Sequence, residues 1–196
     1  MNIKQVPREW KTYEYYDPKV ILPKLQKIRE DISRTDTPDI IRNLRTNKLK
    51  TEREAWDIAI FCYLMSKFIG IDIFFSRVEK SDYDSIFTWN DGNLQHYAPV
   101  QVKELVPEET NPTATLKAII ESLKKYVNSP ELIIGIKLNR QIQFGLSSIE
   151  CNDISVGEIW CFCATMADES KWSLFGDLLT EYKQQYEYEL PNTISK

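Results

Sequence analysis

The stretch of residues 51–69 restricts the fold more than any other feature of the chain. Thr51-Glu52-Arg53-Glu54 fits a capping box, and Gly70 stands where a helix would stop. Between them Ala55, Ile58, Ala59, Cys62 and Met65 are joined on other faces by Trp56, Ile60, Phe61 and Leu64. A helix with so little polar surface beyond its first turn has to be buried against a sheet.

Candidate strands follow at once, as runs over residues 71–78, 83–89 and 98–106. Asn90-Asp91-Gly92-Asn93 joins the second to the third, and Asp-Gly between strand residues is a hairpin signal. Asn111-Pro112 has the form of a helix start, with Leu116, Ile119, Ile120 and Leu123 as the buried stripe of a helix ending near Val127. Residues 131–138 form a near-continuous apolar run, as in a central strand covered on both faces. Further strand-like runs cover 143–149 and 158–166, and a last helical stretch is expected over 177–186. The class is therefore α/β, in the α+β sense of a mixed sheet.

Residues 1–50 read differently. After Tyr13-Glu14-Tyr15-Tyr16, the segment 23–32 has helical spacing in Leu25, Ile28 and Ile32, and 39–44 can make a second short helix. We read 1–50 as an N-terminal helical arm packed on a core domain of residues 51–196. The first 50 residues carry 12 Lys and Arg against 7 Asp and Glu, whereas residues 151–196 carry 3 against 8, so the net charge of −4 hides an asymmetry. A net negative chain does not hold nucleic acid by bulk charge, but a local basic face remains open to it.

One histidine excludes whole classes of chemistry within a single chain, including zinc sites with two or three His ligands and two-histidine iron sites. His96, between the hairpin turn and the third strand, reads as an exposed loop residue rather than a base. Cys62, Cys151, Cys161 and Cys163 include no C-x-x-C pair and read as buried free thiols. With no secretory signal and no apolar run of about 18 residues, the expected compartment is the reducing cytoplasm, with no membrane partner.

Polar residues converge on two strands of the meander. Gln101 and Lys103, at i and i+2, share one face of a strand, and the hairpin can bring Asp84 beside Gln101. Asp84 can bind a hard divalent cation such as Mg²⁺, and the Gln101 amide oxygen can help complete an oxygen shell. Lys103 would then orient a water for attack on a phosphodiester. Equally, Asp84 can be a strand-initiating aspartate, with Gln101 and Lys103 on a solvated sheet face. Lys117, Lys124, Lys125, Lys137 and Arg140 can neutralise backbone phosphates or belong to solvated faces, and Tyr182, Tyr186 and Tyr188 can stack bases or pack the fold.

At Asp84…Gln101-x-Lys103 the sequence resembles the PD-(D/E)XK nuclease superfamily, over roughly residues 51–138. The resemblance implies a restriction-endonuclease-like αβββαβ core with C-terminal strand and helix additions, and Mg²⁺- or Mn²⁺-dependent hydrolysis of DNA. It also implies Asp84 as metal ligand, Gln101 in the place of the second acid, Lys103 as the lysine of the motif, and Glu54 of the first helix as an auxiliary ligand, with Asp57 second. Gln101 departs from the usual Asp or Glu and removes one negative charge beside the cation. The alternative is an inactive nuclease-fold protein that binds nucleic acid or protein. Such nucleases often act as homodimers, although no exposed apolar stripe identifies an interface.

Overall fold

The computed structural model describes residues 6–33, 50–78, 80, 82–142, 145, 149–181 and 183–191. Eight strands and three α-helices are present among them, with both parallel and antiparallel pairings, so the chain is mixed α/β. It divides into two compact units, residues 1–97 with 191–196 and residues 98–190.

The first unit begins with a 3-10 turn at Arg8–Thr12, followed by β1 (Tyr15–Tyr16) and α1 (Pro18–Ser33). Helix α1 starts five residues before Pro23, where the sequence suggested, because Asp17 and Pro18 form a cap and first turn. The Asp17 Oδ1 accepts the Lys19 N–H at 2.8 Å, and proline at the first helical position forfeits no needed hydrogen bond. Pro23 is accommodated inside the helix, and Leu22 beside it is 1% exposed. The short helix expected over 39–44 lies outside the described residues.

Helix α2 spans Lys50–Ile69, so Thr51 sits inside its first turn and does not cap it. Gly70 ends the helix at φ +76°, donating its N–H to Ser66 O at 2.9 Å. Strands β2 (Ile73–Ser76) and β3 (Ser85–Asp91) follow, with β1, β2 and β3 paired antiparallel. The buried face of α2 meets them directly: the Phe61 and Phe87 rings lie 5.8 Å apart and the Cys62 thiol donates to Ile73 O. Gly92, at φ +58°, and Asn93 turn the chain into β4 (Leu94–Leu105), and glycine takes the left-handed position without strain.

The second unit holds the greater part of β4, then α3 (Leu116–Ser122), β5 (Ser129–Leu138), β6 (Val156–Ala164), β7 (Lys171–Gly176) and β8 (Gln184–Glu189). Strands β4, β5 and β6 run parallel, and β7 and β8 add antiparallel. Every residue of β5 from Leu132 to Leu138 is buried, as a strand covered on both faces requires. On one face Leu105, Ile134, Ile136, Ile159 and Cys161 form a core with Ile120 and Leu123 of the α3 segment.

Two expectations fail here for local reasons. Helix α3 opens at Leu116, not at Asn111-Pro112, because Thr115 is the cap, its Oγ1 accepting from Ala118 N at 3.1 Å. Asn111 instead folds its Oδ1 back onto the Thr113 N–H and hydroxyl, a local turn that competes with helix. The last helical stretch, over 177–186, is absent. Asp177 Oδ1 accepts the N–H groups of Ile159 and Leu179, Leu178 N–H donates to Ile159 O, and the chain then pairs with β7 as β8. Most of the strand-like run over 143–149 lies outside the described residues.

The α2 contact generates a stability prediction. Phe61→Ala removes a fully buried ring from the first unit and should lower unfolding free energy by about 3 to 5 kcal/mol, measured by urea denaturation.

Candidate functional site

Gln101 and Lys103 occupy alternate positions of β4, opposite Ile134 and Ile136 of the parallel strand β5, so both side chains leave the strand on one face. Gln101 is buried, at 6% exposure, and Lys103 is half-buried. The Tyr126 hydroxyl, just beyond α3, donates to the Gln101 Oε1 at 3.3 Å. Nothing in the sequence pattern linked Tyr126 to Gln101, because the two are 25 residues apart.

Asp84 and Glu54 belong to the first unit. Asp84 immediately precedes β3 and is half-buried; Glu54, in the first turns of α2, is also half-buried. Asp57, three residues on, is buried at 5% exposure.

All of these donors are oxygens, the chemistry suited to Mg²⁺ or Mn²⁺ and unsuited to a soft metal. Among the described residues no three His, Cys, Asp or Glu side chains are grouped to hold a metal ion.

The basic residues expected to meet phosphate are differently employed. Lys137 is buried, with its ammonium 5.6 Å from the centre of the Trp172 ring. Arg140 donates Nε to Val106 O at 2.7 Å, one terminal nitrogen to Ala114 O at 3.2 Å and the other to Asn111 O at 2.6 Å. Its guanidinium is thus a staple for the chain between β4 and α3. Lys124 pairs with Glu121 at 2.7 Å, and Lys125 lies over the Tyr126 ring at 5.0 Å. A cavity of about 500 Å³ beside α3 carries Lys117 and Lys124 but also Glu121 and Glu150, so it has no anionic preference.

His96 is a strand residue, not an exposed loop residue. It lies in β4, half-buried, its ring stacked on Trp89 at 5.4 Å, and its Nε2 is buried without a hydrogen-bond partner. The hairpin pairing puts it there. Tyr186 and Tyr188 are half-buried in β8, while Tyr182 lies outside the described residues. The four cysteines are free thiols. Burial raises the thiols of Cys62 and Cys161 well above the usual range, which keeps them protonated and unreactive.

The sequence reading passed over one cluster in the first unit. The Tyr83 hydroxyl receives the Trp10 indole N–H at 3.2 Å, lies 3.4 Å from the Tyr13 hydroxyl, and donates to Glu9 Oε1 at 3.4 Å. Tyr15 donates to Trp10 O at 2.7 Å and its ring lies 6.1 Å from that of Tyr97. Loss of surrounding water and the neighbouring phenols raise Tyr13 and Tyr15 above the usual phenol range. The Tyr83 contacts join residues 70 to 74 positions apart, so no local pattern signals them.

No family model, curated protein or solved structure matches the chain. No helix among the described residues is long and apolar enough to cross a membrane.

The role of Arg140 is open to direct test. Arg140→Ala should lower stability by about 1 to 3 kcal/mol by leaving carbonyls of the 106–114 segment without their charged donor, measured by urea denaturation. The salt dependence of any nucleic-acid binding should be unchanged, since this cation is already engaged.

Proposed function

We propose that the chain is a metal-dependent nuclease of the PD-(D/E)XK type, acting on DNA in the cytoplasm, with a restriction-endonuclease-like αβββαβ core formed by α2, β2, β3, β4, α3 and β5. The observation that carries the reading is the pairing of Gln101 and Lys103 on one face of β4, with the Gln101 oxygen oriented by Tyr126 and β4 parallel to β5 across a helical crossover. The element order around the motif supports it.

In this reading Asp84, Gln101 and Glu54 hold a divalent cation, which when bound supplies Lewis-acid stabilisation of charge on the phosphoryl group. Asp84 contributes the negative charge, and Gln101 a neutral oxygen held in register by its phenol donor. Lys103, half-buried, orients the attacking water and lowers the cost of its losing a proton. Lys103 also favours the charge that builds on the phosphate oxygens.

A second reading, a nuclease-fold protein that binds without turnover, is favoured by the neutral Gln101 and by the lack of a three-acid cluster among the described residues. Titration with Mn²⁺ and cleavage assays separate the two. The catalytic reading expects Mn²⁺- or Mg²⁺-dependent nicking of single-stranded, double-stranded or modified DNA. Lys103→Ala should reduce it by at least about 100-fold with an unchanged melting temperature, because a pre-positioned charge is lost. Gln101→Glu, which restores the second acid, should tighten Mn²⁺ binding several-fold in calorimetry. No cleavage on any of these substrates, with no metal binding at millimolar concentration, sinks the catalytic reading.

A further inference from the structure

Asp84 is the last residue of the connection between β2 and β3, and a connection is ordinarily the mobile part of a fold. A metal ligand, by contrast, has to be held within about 0.5 Å of its working position. On one side of Asp84 the hold is plain. Ser85, fully buried, donates its hydroxyl to Ser76 O at 2.8 Å, and the Ile86 N–H donates to Ser76 Oγ at 2.9 Å. Strand β3 is thus fastened to the end of β2 as it begins.

The other side is held from a distant part of the chain. The Lys80 N–H donates to Tyr83 O at 2.9 Å, which closes a turn just before Asp84. From there the Tyr83 side chain reaches the 3-10 turn at Arg8–Thr12, itself tied by the Thr12 hydroxyl to Glu9 O at 2.8 Å. A phenol oxygen donates once and accepts twice. Tyr83 donates to Glu9 Oε1, accepts from Trp10 Nε1 and lies 3.4 Å from the Tyr13 hydroxyl, so its full capacity is taken up by residues 9–13. The Trp10 and Tyr83 rings also meet edge to face at 6.0 Å. Each of these bonds is long, and the Glu9–Lys80 pair at 3.6 Å, between half-exposed side chains, adds little. Their effect comes from converging on one side chain. The circuit closes through β1, where Tyr15 donates to Trp10 O at 2.7 Å and pairs in register with Ser76, the residue that fastens Ser85.

We infer that the N-terminal turn is a clasp that fixes the chain at Asp84, with Tyr83 as the positioning residue. The nuclease reading, on which this inference rests, makes Asp84 a metal ligand, and its place then depends on side chains 70 to 74 positions before Tyr83. The clasp is separable from the core. Phe61, Phe75 and Phe87 are 0 to 1% exposed and form the interior of the first unit, whereas Trp10, Tyr13 and Tyr83 are half-buried. Removing one oxygen from Tyr83 therefore loosens the segment at Asp84 without opening the interior.

Amide hydrogen exchange and Mn²⁺ calorimetry on the full chain test the clasp. Tyr83→Phe keeps the ring and removes the oxygen, Glu9→Ala removes its acceptor, and Glu9→Gln retains one. In Tyr83→Phe and Glu9→Ala the amides of residues 83–86 should exchange at least about fivefold faster, with α2 amides and melting temperature unchanged. Mn²⁺ affinity should fall at least about fivefold in the same two variants and return in Glu9→Gln. Exchange at 83–86 equal to wild type overturns the clasp. Faster exchange throughout the first unit, α2 included, overturns it as well, since that marks a purely structural role. Mn²⁺ bound as tightly by the two variants as by wild type overturns the positioning of Asp84 while leaving the nuclease reading in place. A wild type that binds no Mn²⁺ at millimolar concentration removes the nuclease reading instead, and exchange at 83–86 then decides the clasp by itself.

Discussion

The parallel pairing of β4 with β5 is the constraint on which the second unit depends. Parallel neighbours cannot be joined by a tight turn, so the chain must leave the sheet after Leu105, cross over through α3 and return at Ser129. That crossover brings Ile120 and Leu123 onto the sheet face that carries Ile134 and Ile136. It also delivers Tyr126 to the amide of Gln101. The orientation of a residue at the heart of the candidate site is therefore a by-product of how two strands had to be connected.

The elements with one dominant signal were the legible ones. Helix α2 has apolar residues on most sides, and β5 is apolar from Leu132 to Ile136, so burial leaves each a single conformation. The Gly92 turn was legible because a left-handed position calls for glycine. Where local chemistry offers two answers the sequence misleads. Asn111 resembles a helix cap, but its side chain prefers its own turn; residues 177–186 contain good helix formers, yet pairing with β7 outweighs their propensity.

Of the candidate site, the shared face of Gln101 and Lys103 followed from strand alternation alone, since a period of two needs no knowledge of the rest of the fold. The charges were harder to read. A lysine or arginine in a sequence states only its charge, and its work depends on what the fold sets beside it. Lys137 ends up over an indole ring and Arg140 among main-chain oxygens. The ring cluster around Tyr83 was illegible for the same reason, since its members meet only through tertiary pairing.

Arg140 ties three main-chain positions, Val106, Asn111 and Ala114, to one planar cation anchored just past the end of β5. The segment between β4 and α3 is consequently of fixed length in a way that the Gly92-Asn93 turn is not. An added residue there would have to bulge without displacing any of three acceptors, so this crossover tolerates a change of length only where the guanidinium can keep all three.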